Sequence, residues 1–370
     1  MLPLVREVAI SYVMNLSIEK LHSDAYRLLQ HMIGIPSLSR DEDAVATFLE
    51  NQLKEWNLIP SRKGNNLWLR NRKWQDGKPV VLFNSHIDTV KPANGWTDDP
   101  FTPVVHNGRL TGLGSNDAGA SVVAQLAAFR YFNELAELPF NLIWSATAEE
   151  EISGTNGVAS ILDELGPIDL GLVGEPTGMN LAIAEKGLLV IDAEAVGKTG
   201  HAARNEGVNA IYKALGDIQR LLDFKFTKES EVLGPVKLTV TQIEAGHQHN
   251  VVPDSCRFVI DVRTNECYSN EEVFDTISNL LESDIKARSY RLNSSGIPLD
   301  HPLVKRGVSL GLQTYGSPTT SDQAVLPFNT VKVGPGDSAR SHTPDEYILE
   351  EEISNGIDIY IRLLEDLKID

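Results

Sequence analysis

The first half of the chain alternates between helix-like and strand-like hydrophobic patterns. Apolar residues recur at helical spacing over residues 18–56, with a break at Pro36, a residue that disfavours continued helix. An alanine-rich segment at residues 118–135 predicts a further helix. Short apolar runs predict buried strands at residues 80–84, 141–146 and 170–173. Strands that alternate with helices indicate an α/β fold around a mixed, largely parallel sheet.

The pattern changes in the middle of the chain. The predicted order is β-α-β-β-α-β, over residues 188–196, 208–222, 236–243, 257–263, 271–281 and 287–292. This is the order of a ferredoxin-like α+β unit. A short strand at residues 331–334 and a helix at residues 350–367 then resume the earlier α/β character. We therefore predict a catalytic domain in two segments, 1–185 and 297–370, with a smaller domain inserted at 186–296.

Length, charge and cysteine content narrow the class of protein. The chain has 370 residues, 42% of them hydrophobic, and a formal net charge of −18. This length predicts two domains, and the acidic charge argues against nucleic acid or an anionic membrane as the main partner. Ordinary solubility is the simpler reason for the charge. The two cysteines, Cys256 and Cys267, fit neither a disulfide framework nor a zinc ribbon, which favours a reducing compartment.

The N-terminal segment is mildly apolar but interrupted by Arg6 and Glu7, so it is a poor signal peptide. No apolar run approaches the length of a membrane span. We expect a cytoplasmic protein in which residues 1–13 are a loosely attached extension.

Candidate chemistry follows the predicted strands, at the point where each strand ends. His86 and Asp88 come after the strand at 80–84, and Glu175 comes after the strand at 170–173. A run of glutamates at 149–151 follows the strand at 141–146. Ligands of open α/β sheets collect at the carboxyl ends of the strands. Carboxylates gathered there repel one another unless a cation joins them.

Each of these signals has an ordinary structural alternative. The pair His86–Asp88 can occur by chance, and Asp117, in a glycine-flanked loop, resembles an N-cap. The glutamate run can be a solvated face, and His342 can be a surface residue of its loop. Together, however, these histidines and carboxylates supply the nitrogen and oxygen ligands that a pair of divalent metals such as zinc prefers. Two such ions activate a water and polarise a carbonyl, and an uncoordinated carboxylate is still needed as general base.

Five ordered motifs resemble those of a known family. They are S-H-I-D at 85–88, G-S-N-D-A-G at 114–119, E-E at 150–151, G-E-P-T at 174–177 and G-P-G-D-S-A-R-S-H-T-P-D-E at 334–346. The sequence resembles the acetylornithine deacetylase / succinyl-diaminopimelate desuccinylase family of dinuclear zinc amidohydrolases, over nearly the whole chain from about residue 28. The resemblance implies a zinc-peptidase-like catalytic domain and two bound divalent ions, Zn²⁺ first, with Co²⁺ able to substitute.

The resemblance also implies a role for each site residue. The implied metal ligands are His86 and Glu175 on one ion, Glu151 and His342 on the other, and Asp117 bridging both. Glu150 matches the general base, and Asp88 matches the residue that orients His86. The family's usual pattern at this triplet is an acidic residue followed by two glutamates, so Glu149 occupies the first position. A shift by one residue in the roles given to Glu150 and Glu151 stays open.

The inserted domain carries three further matches. His201 lies in G-H-A-A at 200–203, where alanine replaces the family's serine, and the resemblance implies that its imidazole reaches the partner's active site and stabilises an oxyanion. Asn250 and Arg263 match substrate-binding elements, with Arg263 suited to hold a carboxylate. The alternatives are a surface histidine and a cross-strand ion pair. The resemblance implies a homodimer through this domain.

The implied reaction is hydrolysis of the amide of a small N-acyl amino acid. The end of the chain resembles most the deacetylases of arginine or lysine biosynthesis, so N-acetylornithine is the leading substrate, with acetylcitrulline or a succinylated relative possible. We further hypothesise that Arg340 contacts a substrate carboxylate, against the alternative of an ion pair with an acidic neighbour. A dipeptidase or other exopeptidase, a succinyl-diaminopimelate desuccinylase and a catalytically silent binding protein are the competing functions.

Overall fold

The helices at the start of the fold confirm the break predicted at Pro36. In the computed structural model, which describes residues 16–135 and 137–369, a helix runs over Ile18–Ile33 and a second over Asp43–Glu55. Ser17 caps the first helix by accepting the N–H of Lys20. The expectation for residues 1–13 lies outside the described residues.

The described α-helices and strands have the following bounds, and a π-helical turn at Ser115–Gly119 and short 3-10 turns lie between them. The helices are α1 Ile18–Ile33, α2 Asp43–Glu55, α3 Ala120–Asn133, α4 Leu162–Leu165, α5 Ala210–Asp223, α6 Asn270–Leu280, α7 Pro302–Ser309 and α8 Glu350–Leu364. The strands are β1 Ser61–Lys63, β2 Asn66–Arg70, β3 Val80–His86, β4 Val104–His106, β5 Arg109–Thr111, β6 Asn141–Thr147, β7 Leu170–Val173, β8 Leu181–Glu185, β9 Gly187–Val196, β10 Gly200–His201, β11 Lys237–Ala245, β12 Val251–Val252, β13 Ser255–Thr264, β14 Asp284–Ala287, β15 Ser295–Gly296, β16 Thr314–Ser317, β17 Thr330–Lys332 and β18 Tyr347–Leu349.

The chain divides into two compact units. Among the described residues, the larger unit comprises 16–135, 137–183, 297–315 and 326–369, and the smaller unit comprises 184–296 and 316–325. Residues 316–325 thus group with the smaller unit, whereas the sequence analysis had placed them in the final catalytic segment.

The larger unit is built on a mixed sheet whose central strands are parallel. The strand order is β1-β2-β6-β3-β7-β17-β8, and the neighbours β6-β3, β3-β7 and β7-β17 run parallel. Helix α3 packs between α1 and α8, and the core includes the fully buried Phe83, Trp144 and Tyr360. The predicted α/β class is therefore confirmed. Because β3, β6, β7 and β17 share one direction, the loops that follow them leave the sheet at the same edge.

The smaller unit is an antiparallel sheet in the order β11-β13-β9-β14, with the chain order β-α-β-β-α-β that the pattern predicted. Helix α5 packs on this sheet, around a core that includes Ile191, Phe258 and Ile260. The prediction of the last strand at residues 287–292 was wrong. That strand is β14, where Ile285 and Ala287 face the core of the unit, while Tyr290 packs its ring on Phe274 from outside the strand.

Several short strands carried no usable sequence signal. The hairpin of β4 and β5, extended by β18, has only three residues in each strand. Three residues are too few for a period-two pattern to be distinguished from a loop.

In the described ranges, 16–135 and 137–369, no helix is long and apolar enough to cross a membrane. Both cysteines are free thiols.

Candidate metal centre

The residues predicted as metal ligands all lie in the larger unit and converge at the edge where the parallel strands end. They come from the end of β3, the loop before α3, the turn after β6, and the loops after β7 and β17: His86, Asp117, Glu151, Glu175 and His342. In the described part of the chain, two sets of candidate ligand atoms lie within 4.8 Å of one another: His86, Asp117 and Glu151, and His86, Glu150 and Glu175.

The imidazole of His86 is oriented by the backbone of Asp88. His86 is 1% exposed, and its Nδ1 lies 2.9 Å from the carbonyl oxygen of Asp88 and 3.5 Å from that residue's Oδ1. Both partners are acceptors, so Nδ1 carries the proton and donates it. In the neutral ring, Nε2 then presents its lone pair to the cluster. The sequence analysis gave this role to the Asp88 carboxylate, but the shorter contact is to its backbone.

Asp117 lies between the two histidines. Its Oδ1 is 3.2 Å from Nε2 of His86, and its Oδ2 is 3.7 Å from Nε2 of His342. His342 in turn lies 3.0 Å from Oε2 of Glu151. One carboxylate with an oxygen directed at each imidazole is the arrangement that a ligand shared by two ions requires.

The electrostatics of the cluster favour a cation. Burial and the charge of Asp117 raise the pKa of Glu175 to about 8, and the hydrogen bond to Glu151 raises the pKa of His342 to about 9. Burial alone lowers the pKa of His86, but the bonds to Asp117 and Asp88 and the nearby carboxylates outweigh it and raise this pKa well above its usual value. The cluster thus retains protons that a divalent ion would displace.

An unsatisfied ligand atom points to the same chemistry. Oε1 of Glu175 is buried and accepts no hydrogen bond from any described residue, and it lies 3.8 Å from Nε2 of His86. A buried carboxylate oxygen without a donor is costly, and a metal ion removes that cost. The donor set of imidazoles and carboxylates without thiolates therefore fits a pair of borderline divalent ions.

The backbone of residues 149–151 directs the three glutamate side chains to different partners. Glu149, with φ of 58°, turns its carboxylate to Asn156 and accepts both the backbone N–H at 3.2 Å and the side-chain amide at 2.8 Å. Gly154 sits against this carboxylate so closely that a Cβ there would overlap it. Glu150 instead has Oε2 3.9 Å from Nε2 of His86, and Glu151 contacts His342. These contacts favour the register with Glu150 and Glu151 in the site and Glu149 outside it.

Glu150 lies as close to His86 as Glu175 does, at 3.9 Å and 3.8 Å respectively. The position therefore suits a base beside the metal centre, and it also suits a metal ligand. Retention or loss of metal on its substitution separates the two roles.

Buried carboxylates hold the backbone of this turn. Asp88 accepts the N–H of Glu150 at 3.0 Å and of Glu151 at 3.1 Å, and Glu42 accepts the N–H of Glu149 at 3.2 Å. The hydroxyl of Ser39 donates to Asp88 at 2.7 Å. The sequence analysis missed Glu42 and Ser39, because nothing in the sequence marks Glu42 as the acceptor of an amide 107 positions away or Ser39 as a donor to Asp88, 49 positions away.

The three candidates of the inserted segment belong to the smaller unit. His201 is exposed on β10, and its Nδ1 accepts the N–H of Ala203 at 3.1 Å. Asn250 is exposed immediately before β12, and its backbone carbonyl accepts the N–H of Ala202. Arg263 donates to both oxygens of Asp261, at 2.8 Å and 3.1 Å. Arg263 thus forms an ion pair, but its partner lies on its own strand and not across the sheet as the alternative expected.

Arg340 is also engaged in an ion pair. Its two terminal nitrogens donate to Glu352 at 2.7 Å and 3.1 Å, and its guanidinium lies 4.3 Å from the centre of the Tyr347 ring. These contacts favour the structural alternative over the contact with a substrate carboxylate.

Comparison with known proteins agrees with this picture. The chain belongs to peptidase family M20/M25/M40, whose profile matches residues 82–366, and it is a metal-dependent hydrolase. Its sequence is 27% identical over 365 residues to a succinyl-diaminopimelate desuccinylase of Nautilia profundicola, covering 92% of this chain and 98% of that one. A succinyl-diaminopimelate desuccinylase of Stenotrophomonas maltophilia strain K279a is also 27% identical, with coverage of 91% and 97%.

Solved structures share the fold. The aminopeptidase PepT of Bacillus cereus superposes with a TM-score of 0.74 at 20% identity, covering 95% of this chain and 98% of that one. The YXEP protein of Bacillus subtilis, described as a dinuclear metal binding peptidase from the M20 family, gives 0.72 at 17% identity, with coverage of 94% and 98%. At these identities the likeness establishes the fold alone.

Proposed function

We propose that this protein is a two-metal amidohydrolase that removes a succinyl group from the amine of a diamino acid, as in succinyl-diaminopimelate. The observation that carries the two-metal part is the position of Asp117, with one oxygen facing each imidazole. The succinyl part is supported by relatives of that name that match more than nine-tenths of the chain. They favour this alternative over N-acetylornithine, which the sequence analysis had placed first.

The residues of the cluster divide between two ions. His86 and Glu175 would hold one, Glu151 and His342 the other, and Asp117 both. Zn²⁺ suits this nitrogen and oxygen set, and Co²⁺ can take the same ligands. When bound, the pair of ions polarises the scissile carbonyl and acidifies a water molecule.

The remaining chemistry is proton transfer, which we assign to Glu150. Its carboxylate lies at the centre without being required as a ligand, so it can take a proton from the attacking water and return it to the leaving amine. Asp88 holds both a metal ligand and the base in place. Its backbone orients His86, and its carboxylate accepts the amides of Glu150 and Glu151.

A homodimer through the smaller unit completes the proposal. Helix α5 and the residues before it expose a row of apolar side chains at Val208, Tyr212, Leu215 and Leu222, with Tyr212 73% exposed. Beside it, β11 is an edge strand of the four-stranded sheet. An exposed apolar row next to an unpaired strand edge favours a second copy as partner. In such a dimer, we propose that His201 acts on the partner's substrate.

A substrate panel tests the proposed function. Zinc-loaded protein is assayed with succinyl-diaminopimelate, acetylornithine, acetylcitrulline and a tripeptide, before and after chelation. We expect the succinyl substrate to have the highest kcat/KM, and we expect activity to vanish on chelation and to return with Zn²⁺ or Co²⁺. Preference for acetylornithine or for the peptide would replace the substrate assignment. Hydrolysis that survives complete metal removal would overturn the mechanism.

A further inference from the structure

A buried carboxylate outside the proposed ligand set holds the loop that carries Asp117. Glu346 is 2% exposed, and its Oε1 accepts the N–H of Asn116 at 2.8 Å and of Asp117 at 3.0 Å. Its Oε2 accepts the N–H of Gly114 at 3.2 Å. Glu346 belongs to neither of the two ligand sets found among the described residues.

These amides need an external acceptor because of where they lie. Residues Ser115–Gly119 form a single π-helical turn that leads into helix α3, and the first N–H groups of a helical turn have no acceptor within that turn. Asp117 also departs from helical geometry, with φ of −119° and ψ of 99°. Glu346 thus fixes a backbone conformation that helical hydrogen bonding alone does not specify, and its negative charge suits a helix N-terminus.

The same contacts tie together two loops of the candidate centre. Glu346 lies four positions after His342, and the neighbouring side chain of Asn116 reaches back to the His342 loop. Its Nδ2 donates to the carbonyl of Asp337 at 3.1 Å, and its Oδ1 accepts the N–H of Asp337 at 3.0 Å. Gly336, with φ of 94°, leaves room for this contact, because a Cβ there would overlap Oδ1 of Asn116. The spacing of Asp117 and His342 is therefore set by hydrogen bonds running in both directions.

We propose that Glu346 is a positioning residue of the metal centre, which orients Asp117 toward both histidines without binding an ion itself. This inference rests on the proposed two-metal function. It predicts that the loss of one amide contact disturbs both metal positions at once, because Asp117 is the ligand they share. Glu346 acts through Asp117 and does not touch the substrate.

The test compares Glu346→Gln with Asp345→Asn in the full-length protein. The glutamine keeps the shape of the side chain, but its NH₂ group replaces one acceptor by a donor, which faces either the amide of Gly114 or those of Asn116 and Asp117. Asp345 is the adjacent carboxylate, and it accepts the N–H and hydroxyl of Thr97, at 2.8 Å and 2.7 Å, instead of the Asp117 loop. Each variant is titrated with Co²⁺ against a competing chelator, and its kcat, KM and metal-free melting temperature are measured.

We expect Glu346→Gln to weaken the binding of both ions by about 10- to 100-fold, the usual effect of losing a partner of a metal ligand. The kcat at saturating metal should fall while KM changes little, and Asp345→Asn should keep near-normal metal affinity. Glu346→Asp, which keeps the charge on a shorter side chain, serves as the second variant if the glutamine protein does not fold, and we expect the same joint loss.

Two results would overturn the inference, and they differ from a failure of the proposed function. If the original protein binds two ions and Glu346→Gln binds them with unchanged affinity and kcat, Glu346 is not a positioning residue. The same conclusion follows if only the metal-free melting temperature falls. If the original protein binds no metal, the proposed function and this inference fail together.

Discussion

The two units of the chain hold their candidate residues in different ways. In the larger unit, His86 and Asp117 are fixed by buried acceptors, Asp88 and Glu346, and their side chains face one another across 3.2 Å. In the smaller unit, His201 is exposed and its ring accepts the N–H of Ala203, two residues further along the chain, and Arg263 is neutralised by Asp261. The candidate residues of the larger unit thus contact one another, whereas those of the smaller unit contact other neighbours.

This difference separates the roles that measured distances support from the roles that motif resemblance alone supports. Metal binding and proton transfer follow from distances and burial in the larger unit. The roles of His201, Asn250 and Arg263 rest on motif resemblance, because nothing in their local contacts requires a ligand. Substitutions should therefore differ in the size of their effect on kcat, and each one tests the residues of one unit.

The largest effect is expected for Glu150→Gln. The glutamine keeps the size of the side chain but cannot carry a proton, so kcat should fall by at least about 10²- to 10⁴-fold, the range that general acid–base catalysis supplies. Metal content, measured by elemental analysis, should stay at two ions per chain, because the ligands remain.

Glu149→Gln is the matched control, since Glu149 is next in the chain but turns to Asn156. It should lose less than about tenfold in kcat, the lower end of what an indirect contact to a metal centre contributes. If Glu150→Gln loses an ion, Glu150 is a ligand and the base must be sought elsewhere. If Glu149→Gln is the more damaging change, the register of the triplet is wrong.

The sequence predicted the residues of the metal centre better than the residues that hold them in place. Strand β7 has the predicted bounds, Leu170–Val173, whereas β3 runs two residues past its predicted end and includes His86, and β6 runs one residue past its predicted end. Short buried apolar runs and a parallel sheet suffice for that, because topology brings the strand ends together. The conjunction of residue types then identified the cluster without knowledge of any distance.

The remainder depends on contacts that leave no local pattern. Glu42 accepts an amide 107 positions away, and Glu346 accepts amides about 230 positions away. Glu346 ends the fifth family motif, but the sequence does not show for either carboxylate that it is buried or which amides it accepts, and only the tertiary fold reveals this. Strand β14 was misplaced for a related reason: its alternation is too short to exclude the neighbouring polar segment.

An intermediate effect is expected for His201→Ala, which tests the smaller unit and the proposed dimer together. Loss of one oxyanion donor costs about 10²- to 10³-fold in kcat. Light scattering should report two chains per particle. Mixing His201→Ala with Glu150→Gln should restore part of the activity, because a mixed dimer has one site with both groups intact.

The control for His201 is His106→Ala, which removes an exposed histidine from the end of β4 in the larger unit and should change neither kcat nor assembly. Absence of rescue in a proven dimer would place the action of His201 within its own chain. A monomer with full activity would remove both the dimer and the shared site from the proposal.

The smallest effect is expected for Arg340→Ala. Both terminal nitrogens of Arg340 are bound to Glu352, and its guanidinium stacks near Tyr347, so the side chain has little capacity left for a substrate carboxylate. The substitution should lower the melting temperature by a few degrees, consistent with about 1 kcal/mol for a partly exposed pair in good geometry. The ratio of kcat/KM for succinyl and acetyl substrates should stay the same. A selective loss on the succinyl substrate, with the melting temperature unchanged, would instead show that Arg340 leaves Glu352 to bind the acyl carboxylate, and would make it a residue that determines specificity.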